Sequence, residues 1–242
     1  MKEITSAQHP LVKHWVHLRQ NSQYRKDEKR ILLEGKNAVQ DIAKSHSLQR
    51  LIIKDKANIL DAEEIFLVTD AIMQKISGTE HPEGVIAELE MPQNRPLTSV
   101  KRVLVFDRIQ DPGNLGTLIR SAVAFGWDGA FLLQGSCDPY NDKALRAAKG
   151  ATFLLPIQMG SWDDLKKVIT ENGLQLVVAA LEGAKPSPCR SIALVLGNEA
   201  QGALVPESFS PQKVSLAMQG PMESLNVAVA GSILLYLYQE GK

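Results

Sequence analysis

Met218-Gln219-Gly220-Pro221-Met222-Glu223-Ser224-Leu225-Asn226 leads directly into the apolar run 227–238. A polar, glycine-bearing loop thus delivers the chain into a helix long enough to be a core element. Polar groups at the start of a rigid helix are aimed, and the first-turn amides have no partner of their own. Two earlier segments share the design: Asp111-Pro112-Gly113-Asn114-Leu115-Gly116 and Leu196-Gly197-Asn198-Glu199-Ala200-Gln201-Gly202. All three follow apolar strands, and their repetition argues for one composite site.

Outward from these loops, hydrophobic periodicity predicts strands at 103–106, 129–133, 152–156, 175–180, 192–196 and 213–216. Helices are predicted at 114–125, 142–149, 162–171 and from about Leu225. Several of these strands are continuous apolar runs without alternation. Burial on both faces produces that pattern, so the fold class is α/β with a mostly parallel sheet. Residues 91–99 carry two prolines among polar residues and read as a linker.

Before the linker, the spacing of Leu11, Val12, Trp15, Val16 and Leu18 predicts helix over 10–30. A strand at 31–35, a helix at 36–46 and strands at 51–53, 65–68 and 85–89 follow. Asp70 is the expected cap of a short helix through Ile76. These elements make a small α/β unit of their own, giving domains at 1–95 and 100–242.

The chain has 242 residues, 44% hydrophobic and 22% charged, an ordinary balance for a soluble globular protein. No apolar run approaches a membrane span, and Met1-Lys2-Glu3-Ile4-Thr5-Ser6 lacks the apolar core of a signal peptide. The expectation is a cytoplasmic protein with no membrane partner. Cys137 and Cys189 lack metal-type spacing, so no metal site is expected. Net charge is +0, yet residues 1–36 hold eight Lys and Arg against four Asp and Glu. That excess marks either a phosphate-binding face or a solvated helix surface.

In the first loop, Asn114 is a possible helix cap beside glycines, which suits an anion or ribose-phosphate contact. Arg120 lies six residues further on, with Gly116 one turn behind it. It either reaches back toward the loop or extends into solvent. In the second, Gly197 and Gly202 suggest a sharp bend or a close approach to a ligand around Glu199. In the third, Ser224 and Asn226 serve as a helix cap or as ligand contacts. No Gly-x-Gly-x-x-Gly follows a strand and no phosphate-loop Gly-Lys-Ser/Thr is present, which argues against dinucleotide binding and nucleotide hydrolysis.

Together the loops resemble the three motifs of the SpoU (TrmH-type) RNA ribose 2′-O-methyltransferases of the SPOUT superfamily. The matching residues are Asp111 to Gly116 with Arg120, Gly197-Asn198-Glu199 with Gly202, and Glu223-Ser224-Leu225-Asn226-Val227-Ala228-Val229-Ala230. Ile4-Thr5-Ser6, Leu33-Glu34-Gly35 and Pro82-Glu83-Gly84-Val85 similarly resemble the L30e-like substrate-binding domain that precedes many such enzymes. One departure is Ala217, where the family usually has proline. Alanine there loosens the loop without removing a functional group.

The resemblance implies a C-terminal trefoil knot, S-adenosylmethionine bound in a bent form, and a homodimer. It implies RNA as substrate, ribosomal RNA before transfer RNA. The rival is a non-catalytic RNA-binding assembly factor, which would not need the polar loop residues that this chain keeps. The resemblance places Arg120 at the reacting hydroxyl, with Asn114, Glu199, Ser224 and Asn226 as catalytic partners. It places Leu196, Gly197, Leu216, Met218, Leu225 and Asn226 around the cofactor.

Overall fold

A computed structural model of the chain describes residues 1–239. Residues 240–242, the end of the expected second domain, lie outside the described residues. The chain divides into two compact units. The first comprises Met1–Gln93 together with Asp138–Phe153, and the second comprises Asn94–Cys137 and the chain from Leu154 onward.

The first unit holds β1 (Lys2–Ile4), β2 (Arg30–Glu34), β3 (Arg50–Ile53), β4 (Glu64–Val68) and β5 (Val85–Glu90) in one sheet, ordered β1-β4-β3-β5-β2. β1, β4 and β3 run parallel, and β5 is antiparallel to both of its neighbours. Alternating side chains serve two cores. Ile52, Phe66 and Ile86 pack beneath α1 (Pro10–Gln20) and α4 (Asp70–Ser77) with Trp15, Leu18 and Met73. Leu51, Ile53 and Ala87 face α3 (Lys36–Ala43) and, from far along the chain, Tyr140, Leu145 and Phe153. The last three come from the inserted segment carrying α6 (Asp142–Ala148) and α7 (Ala151–Leu154).

The helix expected over 10–30 is two helices, α1 and α2 (Ser22–Glu28). Asn21 takes extended backbone angles and accepts from Tyr24 N at 2.9 Å, which ends one helix and caps the next. Thr69, not Asp70, caps α4. The strand expected at 152–156 is instead α7, and the pairing strand begins at Ile157. Gly150, at φ +91°, turns the chain after α6, and Phe153 is buried in the first unit's core. Burial there overrides the strand propensity of Thr152 and Phe153.

Glu88 on β5 is 1% exposed. It accepts from Trp15 Nε1 at 2.9 Å and from Arg50 Nη1 at 2.8 Å. Burial alone would raise its carboxyl, but hydrogen bonds from His14, Arg50 and Trp15 outweigh that and hold it at about 2.

The second unit is built on β6 (Arg102–Asp107), β7 (Gly129–Leu133), β8 (Ile157–Gly160), β9 (Gln175–Ala184), β10 (Ile192–Gly197) and β11 (Gln212–Val214). Their order is β11-β9-β10-β6-β7-β8, and every pairing is parallel. All residues of β6 and β7 are buried, as the apolar runs 103–106 and 129–133 imply, and the charged ends Arg102 and Asp107 are buried with them. The strand expected at 213–216 is Gln212–Val214, with a register shift between Lys213 and Val214. Helices α5 (Pro112–Ala124), α8 (Trp162–Asn172) and α9 (Val227–Leu237) complete the unit. From β6 the chain builds outward to β7 and β8, whereas β10 and β9 lie on its other side. In open α/β sheets, the crevice at the carboxyl ends of strands flanking such a reversal is where ligands bind.

Candidate functional site

The carboxyl ends of β6 and β10 are in register, with Gly197 opposite Asp107. Past Asp107 the chain turns into α5. Asp111 is the cap of this helix, accepting from Asn114 N at 2.8 Å, and Pro112 occupies the first turn where no amide is needed. Asn114 is therefore not the cap that its position suggested, and its side chain is free for longer-range bonds.

Those bonds join all three loops. Asn114 Nδ2 donates to Glu199 Oε1 at 2.9 Å. Asn114 Oδ1 accepts from Asn226 Nδ2 at 3.1 Å. Asn226 Oδ1 in turn accepts from Ala228 N at 2.8 Å and so caps α9. An acid, an amide and a second amide form one continuous chain, with the two asparagines each using both ends of the side chain.

Arg120 is on α5, six residues and so about 9 Å of helix rise beyond Asn114. It is exposed, and no hydrogen bond or ion pair among the described residues engages it. Gly116, one turn behind it, is buried. Ser224 is exposed and hydrogen-bonds to no described residue, so the helix cap is Asn226 alone.

Of the residues expected around a cofactor, Leu196 is 1% exposed and packs against α9. A Cβ on Gly197 would stand 2.1 Å from Ala203 N, so glycine is required for the chain to fold back on itself there. Leu216 is half-buried, and Met218 and Leu225 are exposed. Among the described residues, no backbone hydrogen bond holds 216–226 until Asn226 O accepts from Ala230 N. Unengaged amides and carbonyls beside partly open apolar side chains fit a ligand with a polar amino-acid end and an aromatic base, as S-adenosylmethionine has.

Sequence reasoning missed the support beneath the second loop. Asn198 Oδ1 accepts from Ala200 N and Gln201 N, and its Nδ2 donates to Arg108 O at 3.1 Å. Buried Asp107 accepts from Leu204 N at 2.6 Å. The one local signal was a charged pair, Asp107-Arg108, directly after an apolar strand.

Residues 101–236 match the model of the SpoU rRNA methylase family, and residues 9–87 match that of an MRM3-like substrate-binding domain. The chain is 33% identical over 249 residues to the 23S rRNA (guanosine(2553)-2′-O)-methyltransferase RlmP of Bacillus subtilis, covering 98% of each chain. It is 28% identical over 194 residues to the 23S rRNA (uridine(2479)-2′-O)-methyltransferase of Streptomyces viridochromogenes, covering 72% of this chain and 66% of that one. A solved AdoMet-bound rRNA methyltransferase from Sinorhizobium meliloti superposes with a TM-score of 0.83 at 26% identity, covering 97% of this chain and 96% of the other. The three-loop geometry and these matches agree: the chain belongs to the SpoU rRNA methylase family.

Proposed function

We propose that the protein transfers the methyl group of S-adenosylmethionine to a ribose 2′-hydroxyl of ribosomal RNA. The observation that carries the reading is the continuous chain Glu199–Asn114–Asn226 at the carboxyl ends of the parallel strands, with an arginine that no described residue engages on the same helix as Asn114. Its relatives in Bacillus subtilis and Streptomyces viridochromogenes are named for this reaction on 23S rRNA.

The cofactor, when bound, supplies an electrophilic methyl carbon. For the ribose oxygen to take that methyl group, its hydroxyl proton must leave. A guanidinium does not give up its own proton in a protein, so Arg120 acts by stabilising the developing alkoxide. An RNA phosphate is the proposed proton acceptor. Asn114, Glu199, Ser224 and Asn226 orient the ribose and Arg120, since an in-line reaction depends on geometry before all else. Gly197, Leu216 and Leu225 would hold the cofactor, mainly through backbone groups, and Leu196, Met218 and Asn226 would line the same pocket.

The chain end beyond β11 is read as passing through a loop to form the trefoil knot of the family. The first unit presents RNA to the second. A homodimer is supported by α9, whose Val229, Ile233, Tyr236 and Leu237 are 49%, 38%, 42% and 42% exposed. An apolar stripe of this kind is rarely left uncovered, and Ile233→Glu should sediment as a monomer where the natural chain sediments as a dimer. No helix among the described residues is long and apolar enough to cross a membrane; the ribosomal RNA substrate is what supports a cytoplasmic location.

Mapping ribose methylation in ribosomal RNA from cells with and without the protein tests the reading. Loss of one 2′-O-methyl mark is expected, and an unchanged map would overturn it.

A further inference from the structure

We propose that Arg108 is a positioning residue that sets the geometry of Glu199, an inference that rests on the methyltransferase reading of the site. Arg108 is not a glycine, yet its backbone is left-handed at φ +57°. Such conformations persist where the surroundings over-determine them, and they concentrate at functional sites.

Here the surroundings are specific. Nε donates to Asp107 Oδ1 at 3.2 Å and Nη2 to Asp107 Oδ2 at 3.3 Å. Nη1 donates to Gln201 Oε1 at 2.7 Å, and Nη2 also donates to Gly202 O at 2.9 Å. The main-chain oxygen of Arg108 accepts from Asn198 Nδ2 at 3.1 Å. One residue thus grips the second loop on both sides of Glu199, at Asn198 before it and at Gln201 and Gly202 after it. Gly135 makes room for the side chain: a Cβ there would stand 3.0 Å from Arg108 Cγ.

Asp107 completes the clamp. It is 2% exposed, and the same carboxylate that receives Arg108 also receives Leu204 N at the far end of the loop. A charge so buried needs its partners, so strand end and loop are locked as one body. Among the described residues, Glu199 makes its single side-chain bond outward to Asn114 and none to its own loop. Its placement is inherited from the clamp.

The test uses the full-length protein and an unmodified ribosomal RNA transcript. Arg108→Gly removes the guanidinium while suiting the left-handed backbone, so any loss of stability comes from the Asp107 carboxylate and not from backbone strain, and the unfolding midpoint is measured alongside. We expect kcat to fall about tenfold, with KM for S-adenosylmethionine within about twofold of the natural chain, because misplacement of a supporting group costs rate before binding. Hydrogen exchange at 198–204, Gly202 N above all, should quicken. Arg108→Lys should fall between, since one ammonium cannot fork between Asp107 and the loop. Adding Arg108→Gly to Glu199→Ala should cost little more than Glu199→Ala alone, because one residue acts through the other. Natural kcat in Arg108→Gly, unchanged exchange at 198–204, or losses that multiply in the double variant would each overturn the proposal. If the natural chain itself transfers no methyl group, the methyltransferase reading fails, and the exchange measurement still decides the clamp.

Discussion

Asn226 caps α9 through its Oδ1 while its Nδ2 donates to Asn114 Oδ1 at 3.1 Å. The two ends of one amide therefore do different work: one starts a helix and the other joins the third loop to the first. Asn226→Asp separates them. A carboxylate caps as well as an amide, but it cannot donate to Asn114 and would repel its carbonyl oxygen. Thermal stability should stay close to that of the natural chain, while methyl transfer falls on the order of 100-fold. Asn226→Ala should lose both, with an added cost of about 1 kcal/mol in denaturant unfolding.

Among the described residues, Arg120 makes no structural bond that a substitution would remove. Arg120→Ala should therefore leave the unfolding midpoint unchanged and S-adenosylmethionine binding intact by calorimetry, while the rate drops about 100-fold or more. Near-normal methyl transfer by this variant would remove Arg120 from the chemistry.

Gly231 lies where α9 meets α5 and β10. A Cβ there would stand 2.5 Å from Leu118 Cδ2 and from Leu196 Cδ1. Gly231→Ala gains helix propensity in principle, but overpacking should dominate and cost about 1–3 kcal/mol, read as a lower denaturant midpoint. Since Leu196 precedes Gly197, weaker cofactor binding should accompany it.

Glu88 gives the first unit an acid-sensitive core. Its carboxyl is held at about 2 against an ordinary 4.5. A carboxyl lowered on folding stabilises fully above the higher value and loses that contribution as pH falls toward the lower one. Stability of the natural chain should thus decline between pH 4.5 and 2 more steeply than that of Glu88→Gln. At pH 7 Glu88→Ala, which leaves the buried Trp15 Nε1 without its acceptor and Arg50 with Glu64 alone, should cost on the order of 1–3 kcal/mol.

Much of the second unit was legible because parallel strands buried on both faces announce themselves as unbroken apolar runs, as β6 and β7 do. The ordered loops were legible as a set, since each ends a strand and opens onto glycine or a helix. What the sequence could not carry was pairing across long separations. Nothing local to Asn114 says that its partners are Glu199 and Asn226, 85 and 112 residues away. Asp111 rather than Asn114 took the cap because an aspartate before proline fits that place better, and only then was the asparagine free. Tyr140, Leu145 and Phe153 are apolar wherever they pack, so their periodicity was silent about which unit they join. Phe153 was misread as strand for the same reason.

That borrowed segment has a practical side. Arg25, 3% exposed, forms an ion pair with Asp138, and Ser22 donates to the same carboxylate at 2.8 Å. Tyr140 donates its hydroxyl hydrogen to Pro92 O at 3.1 Å. A protein engineer who cut the chain after residue 93 would strip one wall from the core and leave the Arg25 guanidinium without its counter-ion. The first unit is therefore not a contiguous cassette. To be moved to another scaffold or studied alone, it must travel with residues 138–153 spliced back by a new connection.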